Sequence, residues 1–396
     1  MTAGWDPALT PLAGIRILDL GVIASAPFAA RTLQDLGANV IKLETPDGDP
    51  LRGGPQARGK RRFPFIACNR GRRAIAADLK LPGGQAVLRR LVERADVLIE
   101  NFRPGVGPRL GVTWDAMSAI NPGLIHCTIT GFGEDSPLAR RPITDGVVQA
   151  HAGLLELTGR DGRFGEPVPL IVADAIAGST AAQAITAALF GRMRTGRGLH
   201  ININMLDGLL NYLHLTANVT TSSGPPATNV LETADGQVLL VQPVLHFFPK
   251  FAAAIDALVG CPELVHDPRF GTPDARAENV GVLRGLLQNA FRKASADAWL
   301  AAMAKAGVPA GRINTVAEGI RTAEASAIPI NLDGVEMMLA ASPFVMSGER
   351  IPTPATAPTI GEHSDEILAE IGFSEEEVEA LREQGAVPSP EQDNNC

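Results

Sequence analysis

The stretch Ile15–Glu44, IRILDLGVIASAPFAARTLQDLGANVIKLE, decides the fold. Two runs rich in aliphatic residues, Ile15–Leu20 and Ala38–Glu44, flank a segment, Pro27–Leu36, with helical composition. Strand, helix and strand in that order make a β-α-β unit, whose crossover helix brings the second strand back parallel to the first. The pattern continues with Arg73–Leu79, a helix over Gly83–Ala95, and strands at Asp96–Asn101 and Leu124–Phe132. Pro82 suits that helix's start, because the N–H it lacks has no partner in a first turn. The later strands are nearly unbroken in apolar character, as strands covered on both faces are. A large doubly wound, Rossmann-like α/β domain is expected.

Composition narrows the function. The 396 residues are 45% hydrophobic and 20% charged, an ordinary globular balance. A formal charge of −8 argues against a nucleic-acid partner, which a basic patch would serve. The pairs Arg61-Arg62, Arg72-Arg73 and Arg140-Arg141 are expected to be solvated surface. Cys68, Cys127, Cys261 and Cys396 have no metal or redox spacing, and the histidines are scattered, so no metal site is expected. Cys127 lies in a strand-like run and should be core. The start, MTAGWDPALTPLAG, has no basic-then-apolar signal pattern, and no apolar run is expected to reach membrane-spanning length. A cytoplasmic enzyme with no membrane partner is the expectation.

Further along, Thr220–Asn229 reads as a linker, and Glu232–Gln242 as a hairpin around Asp235-Gly236. Helical patterns at Asn279–Phe291 and Ser295–Ala306 complete a small α+β domain. Ile328–Thr359, rich in Pro, Ser and Met, reads as a long irregular crossing back to the first domain. The tail carries a capping box at Ser374–Glu377 and a helix stop at Gly385, with disorder expected beyond Pro388.

The chemistry points to EPVPLIVADAIAGSTAAQAITAALFGRMRTGRGLHININM, Glu166–Met205. Asp174 is the one charged residue between Glu166 and Arg192, at the entry of a long apolar helix that stops at Thr195-Gly196. Carboxylates enter a protein when paired, hydrogen-bonded or employed. Asp174 can cap its own helix, and the helix N-terminus would keep it charged and nucleophilic. The first β-α unit lacks GxGxxG, which speaks against a dinucleotide-dependent dehydrogenase. No GxSxG elbow is present. A lone carboxylate suits proton transfer or nucleophilic attack through an acyl anhydride, and the second needs no partner base.

In these features the chain resembles the class III CoA-transferases (CaiB/BaiF), a family that includes formyl-CoA transferase, carnitine CoA-transferase and 2-methylacyl-CoA racemases. The resemblance rests on GANVIKLE (Gly37–Glu44), ADVLIENFRPG (Ala95–Gly105), INPGLIHCTITGFG (Ile120–Gly133), TGRG (Thr195–Gly198), DPRFGTPDARAEN (Asp267–Asn279) and AGVPAGRINT (Ala306–Thr315). It implies that Asp174 attacks an acyl-CoA thioester. Ala24-Ser25 then lie at the thioester end, and Ala77-Asp78-Leu79-Lys80 line the nucleotide. Asn101-Phe102-Arg103 and Arg109 hold the adenosine phosphates, as the guanidinium fork suits. Thr144-Asp145 lie beside the pantetheine arm, though Asp145 also suits a helix cap. Thr45 stands where relatives place an arginine near the adenine.

The resemblance further implies a large domain from residues 1–222 and 331–396, a small domain over 223–330, and an interlocked homodimer. Coenzyme A and acyl-CoA are substrates, alongside small carboxylic acids, and no cofactor is held permanently. Formyl-CoA transferases have glutamine at the place of Ala24 and a glycine run near Ser222–Asn229. Here that run contains Pro225-Pro226, whose fixed dihedrals oppose a moving lid, so oxalate/formate specificity is not expected. Racemases have His-Asp where this chain has Thr144-Asp145, so one face of an α-carbon lacks its base. A CoA-transferase is the expected activity, with a racemase or a non-catalytic CoA-binding homologue as alternatives.

Overall fold

The computed structural model describes residues 10–53, 62–159, 163–217, 229–243, 245–322, 327–332 and 334–388. The chain divides into two compact units, Met1–Leu213 with Glu324–Cys396, and His214–Ala323.

The first unit is built on six parallel strands: β1 (Arg16–Asp19), β2 (Asn39–Glu44), β3 (Arg73–Ala76), β4 (Val97–Glu100), β5 (Ile125–Thr130) and β6 (Leu199–Asn204). Their order is β3-β2-β1-β4-β5-β6, the doubly wound arrangement expected from the first β-α-β unit. Helix α1 (Ser25–Asp35) and the helix Val172–Thr195 pack with Ile125, Cys127 and Ile129 of β5 in one core layer. The other layer joins Leu98, Leu18 and Ile75 to the helices Pro82–Arg94, Trp114–Ile120 and Ser364–Glu370. The helix Ser364–Glu370 thus packs against the sheet formed by the first half of the chain: Arg73 pairs with Glu366 and Glu370, and the Ala74 carbonyl accepts the His363 N–H at 3.0 Å.

Several expectations need correction. The helix Val172–Thr195 is long and apolar enough to cross a membrane, with a mean hydropathy of 1.2 over its best window. Its apolarity has a local use, since Ala173, Ala177, Ala181, Ile185 and Leu189 are buried against the sheet. The segment after Ile328 is not irregular. Ala327–Leu332 pairs antiparallel with Val335–Ala340, and Val345–Met346 with Glu349–Arg350. Ser347 and Gly348, at φ 51° and 85°, form the two-residue turn of the second hairpin, a conformation that matches strand twist. A domain boundary between 330 and 331 would cut the first of these strands. The helix Met205–Ala217 directly follows β6.

Arg72 overturns the reading of the arginine pairs as solvated. Its side chain is fully buried and pairs with Asp19 at the end of β1, while its other bonds reach Asn69 Oδ1 at 2.7 Å and the Cys68 and Pro27 carbonyls. Two other buried pairs are bidentate, Arg70 on Asp35 (2.6 and 2.8 Å) and Arg52 on Glu44 (2.9 and 2.7 Å). Bidentate geometry is what makes burying both charges tolerable. Arg140 and Arg141 are exposed as expected, as is Arg62; Arg61 lies outside the described residues.

The second unit has its own core. Strands Asn229–Glu232, Val238–Val241 and Ala310–Arg312 form an antiparallel sheet, with the hairpin expected around Asp235-Gly236. Helices Val280–Phe291 and Ala296–Ala306 match the sequence periodicity, whereas Phe248–Val259 was not anticipated. Phe291 stacks on Trp299 at 4.1 Å, and the indole N–H donates to the Phe291 carbonyl at 2.9 Å. The linker, including Ser223-Gly224-Pro225-Pro226, and the tail beyond Pro388 lie outside the described residues. The capping box at Ser374 and Glu377 is formed.

Candidate active site

In a doubly wound sheet, loops leaving neighbouring strands in opposite directions open a crevice at the carboxyl ends of the strands. Here the reversal falls between β1 and β4. The loop after β1 carries Ala24-Ser25, and the loop after β4 carries Asn101-Phe102-Arg103. Thr45 follows β2, and Ala77–Lys80 follow β3. Thr144-Asp145 follow β5, and Asp174 opens the helix that crosses from β5 to β6. Because crossover helices run antiparallel to the strands, the N-terminus of that helix lies at the same end of the sheet. These residues therefore lie at the carboxyl end of the sheet.

Their direct contacts form a smaller group. Asn101 donates to Ser25 Oγ at 3.1 Å, and its amide also bonds both the N–H and the carbonyl of Val22 at 2.9 Å. Ser25, 2% exposed, meets Asp174 through both its hydroxyl and its backbone N–H. The approach is close because Gly178, one helical turn beyond Asp174, has no side chain: a Cβ there would stand 2.6 Å from the Ser25 carbonyl oxygen. Asp174 does not cap its own helix, as had been expected. It is the third residue of that helix, after the N-cap Ile171, and it receives the first N–H of α1 instead. The cap of the Asp174 helix comes from Asp145, whose Oδ2 accepts the Asp174 backbone N–H at 2.9 Å.

Asp145 is itself fixed. Its Oδ1 accepts from Gln149 Nε2 at 2.6 Å, and buried Gln149 binds the Val168 N–H at 2.8 Å and the Val168 and Leu170 carbonyls at 3.2 Å. Gln149 was missed in the sequence, although the Asp145/Gln149 spacing of four is a helix-face pair. Two carboxyl groups thus lie against one helix start. Burial, then the charge of Asp145, pushes the Asp174 carboxyl up to about 6, while the Ser25 bonds pull it down. At pH 7 it is still about nine-tenths ionised.

The remaining candidates stand apart from this group. Thr45 is exposed, its carbonyl closing a turn to Gly48 N–H at 2.9 Å. Ala77 and Leu79 have their side chains in the core, and Asp78 Oδ1 accepts the Lys80 N–H at 3.0 Å in a tight turn. Lys80, Arg103 and Arg109 are exposed, and Arg109 Nε donates to the Gly105 carbonyl at 3.1 Å. Phe102 is half-buried, its N–H held by Glu100 Oε2 at 2.6 Å. Thr144 is exposed and is the N-cap position of the helix Asp145–His151, without a side-chain cap bond. Among the described residues no group of His, Cys, Asp or Glu is arranged to hold a metal ion.

A doubly wound α/β protein with a desolvated carboxylate at its switch-point crevice is the class that fold and site define. Residues 12–364 match CoA-transferase family III, and the chain belongs to that family, as an enzyme of the CoA-transferase type. It is 35% identical to an acetyl-CoA:oxalate CoA-transferase of Acetobacter aceti over 85% of this chain and 90% of that one. With a succinate–glutarate CoA-transferase of Agrobacterium fabrum it shares 33% identity over 91% of this chain and 96% of that one. The solved structure of a CaiB/BaiF family protein from Brucella suis superposes with a TM-score of 0.79 at 35% identity, covering 91% of this chain and 99% of that one.

Two results are expected from the carboxyl pair. If Asp174 must be ionised to react, kcat/KM measured from pH 4.5 to 8 rises with pH along a limb centred near 6. Asp145→Asn keeps an acceptor for the Asp174 N–H but removes a neighbouring charge, so the limb moves to lower pH. A limb that stays in place or moves up contradicts this account of Asp174.

Proposed function

We propose that this enzyme carries CoA from an acyl-CoA donor to a small carboxylic acid through covalent intermediates on Asp174. An Asp174 oxygen attacks the donor thioester carbonyl; the C–S bond breaks, leaving a mixed anhydride and CoA thiolate. The thiolate attacks the aspartyl carbonyl and expels the donor carboxylate, giving an aspartyl-CoA thioester. The acceptor carboxylate then displaces the thiolate from the aspartyl carbonyl. The thiolate finally attacks the acceptor acyl carbon, forming the new thioester and restoring Asp174. No proton need move, and each step exchanges one activated acyl bond for another. The observation that carries this reading is Asp174 itself, desolvated and held by Ser25 at the helix start. Desolvation strengthens the nucleophile and guards the anhydride from water.

In this proposal Ala24-Ser25 approach the thioester, and Thr144-Asp145 flank the pantetheine arm. Ala77–Lys80 and Thr45 border the nucleotide, while Asn101-Phe102-Arg103 and Arg109 bind its phosphates. Arg103→Ala and Arg109→Ala should each raise the KM for acyl-CoA roughly tenfold or more, the worth of a charge-assisted bond, with little change in kcat. A kcat loss at unchanged KM would remove these arginines from the phosphate site.

The acids are small dicarboxylates in this proposal. Relatives at 30–35% identity are named for oxalate, for succinyl-CoA with D-citramalate, and for succinate with glutarate. A panel of acceptors offered with succinyl-CoA tests it. Formation of a dicarboxyl-CoA supports the reading. Transfer confined to monocarboxylates overturns the substrate class, and α-proton exchange without an acceptor acid would point to racemisation. We further propose an interlocked homodimer in the cytoplasm. In the first unit, Phe190 and Met193 of the Asp174 helix are 65% and 85% exposed, apolar area a partner can cover.

A further inference from the structure

The loop joining β1 to α1 is folded in a costly way and tied down at nearly every backbone group. Ile23 has φ 64°, a left-handed conformation that β-branched residues rarely adopt. Its side chain is 46% exposed, so burial of that side chain does not sustain the strain. Side chains do. Asp19 Oδ1 accepts the Gly21 N–H at 2.8 Å, and Lys42 Nζ donates to the Gly21 carbonyl at 2.7 Å. Asn101 binds both polar groups of Val22. Asp49 accepts the Ile23 N–H, at 3.1 and 3.3 Å from its two oxygens. No strand ladder or helix provides these bonds, so the loop has the shape that the four side chains give it.

Asp49 is the least obvious of the four. It is 2% exposed, lies 3.2 Å from the buried Lys42 ammonium, and also accepts the Leu51 N–H at 2.8 Å. Its own N–H goes to Glu44 Oε1 at 3.0 Å. The residue it restrains stands two places before Ser25, the residue that holds Asp174. We propose that Asp49, seated on Lys42, is a positioning residue for CoA transfer: by fixing the Ile23 N–H it keeps Ser25 on the Asp174 carboxylate. The proposal rests on the reading of Asp174 as the acylated group.

The test uses the full-length enzyme, with succinyl-CoA and the best acceptor acid. Asp49→Asn leaves a neutral acceptor to serve two N–H groups and sets an amide beside Lys42. The expected result is a kcat about tenfold lower. The acid limb of kcat/KM also moves up from about 6, because Ser25 no longer favours the ionised form. Adding Ile23→Gly should recover most of the loss and return the limb, since glycine takes this φ without strain. A purely structural Asp49 would lower the melting temperature, leave the limb in place and gain nothing from the glycine. That outcome overturns the proposal, as does a wild-type kcat and limb in Asp49→Asn. If Asp49→Asn does not fold, the double variant decides: near-wild-type kcat and limb support positioning, and a second failure to fold overturns it. Asp174→Asn, assayed in parallel, separates the two claims. Turnover in that variant defeats the acyl-transfer reading, whereas an inactive Asp174→Asn beside an unaffected Asp49→Asn defeats only the positioning role.

Discussion

Asp174→Asn should lower kcat for CoA transfer on the order of 10³-fold or more while acyl-CoA still binds, because an amide cannot form the anhydride. The same substitution should make the protein more stable at neutral pH. The Asp174 carboxyl is raised from 3.8 to about 6 in the folded chain. Between those values the folded state holds a proton that the unfolded state has released. Folding therefore loses stability as pH rises from about 4 to 6, and the deficit persists above that range. A neutral side chain removes it, for a gain on the order of 1 kcal/mol at pH 7 after allowing for solvent screening. Melting curves at pH 4 and pH 7 check this: the variant's advantage should be present at pH 7 and gone at pH 4. Activity retained, or an advantage confined to pH 4, would contradict the site's electrostatics. Functional groups that cost stability are common where reactivity needs an unfavourable environment.

Arg72→Met should destabilise the fold by roughly 3–5 kcal/mol, a large part of a typical domain's stability. The cost comes from Asp19, left charged and fully buried at the end of β1 with only the Lys42 ammonium, 3.9 Å away, as counter-charge. Removing both charges, as in Arg72→Met with Asp19→Asn, should cost less than Arg72→Met alone, since no uncompensated ion remains. Arg73→Met next door loses only partly exposed pairs to Glu366 and Glu370 and should cost at most about 1 kcal/mol. Denaturant midpoints of the three variants test the ranking. Equal losses at Arg72 and Arg73 would mean that the buried pair contributes no more than a surface one.

The contrast between Arg72 and Arg73 also shows where sequence reading runs out. The apolar run Val97–Ile99 announces a strand covered on both faces, whereas Ile125–Thr130 alternates apolar residues with His126, Thr128 and Thr130 and is nevertheless buried throughout. Arg72-Arg73 looks like solvated charge, and its burial depends on Asp19, 53 positions away, which no local pattern reveals. The hairpin at Ala327–Ala340 was hidden by Pro329 within its first strand, although the Asp333-Gly334 dipeptide is a turn signal that favours such a hairpin. At the site, the isolation of Asp174 in an apolar stretch was plain. Its partners were not. Asp145 caps the helix of Asp174, and Asp174 receives α1, an exchange between elements distant in the chain. Asp49 and Lys42 gave no sequence signal, because their role is to hold backbone groups of a loop.

The most direct test is chemical. The enzyme is mixed with succinyl-CoA, quenched during turnover with hydroxylamine and digested with trypsin. The peptide Phe164–Arg192 is then sequenced by mass spectrometry. The account predicts a hydroxamate on Asp174 that depends on succinyl-CoA. An unmodified Asp174, from enzyme shown to be transferring CoA under the same conditions, would contradict it.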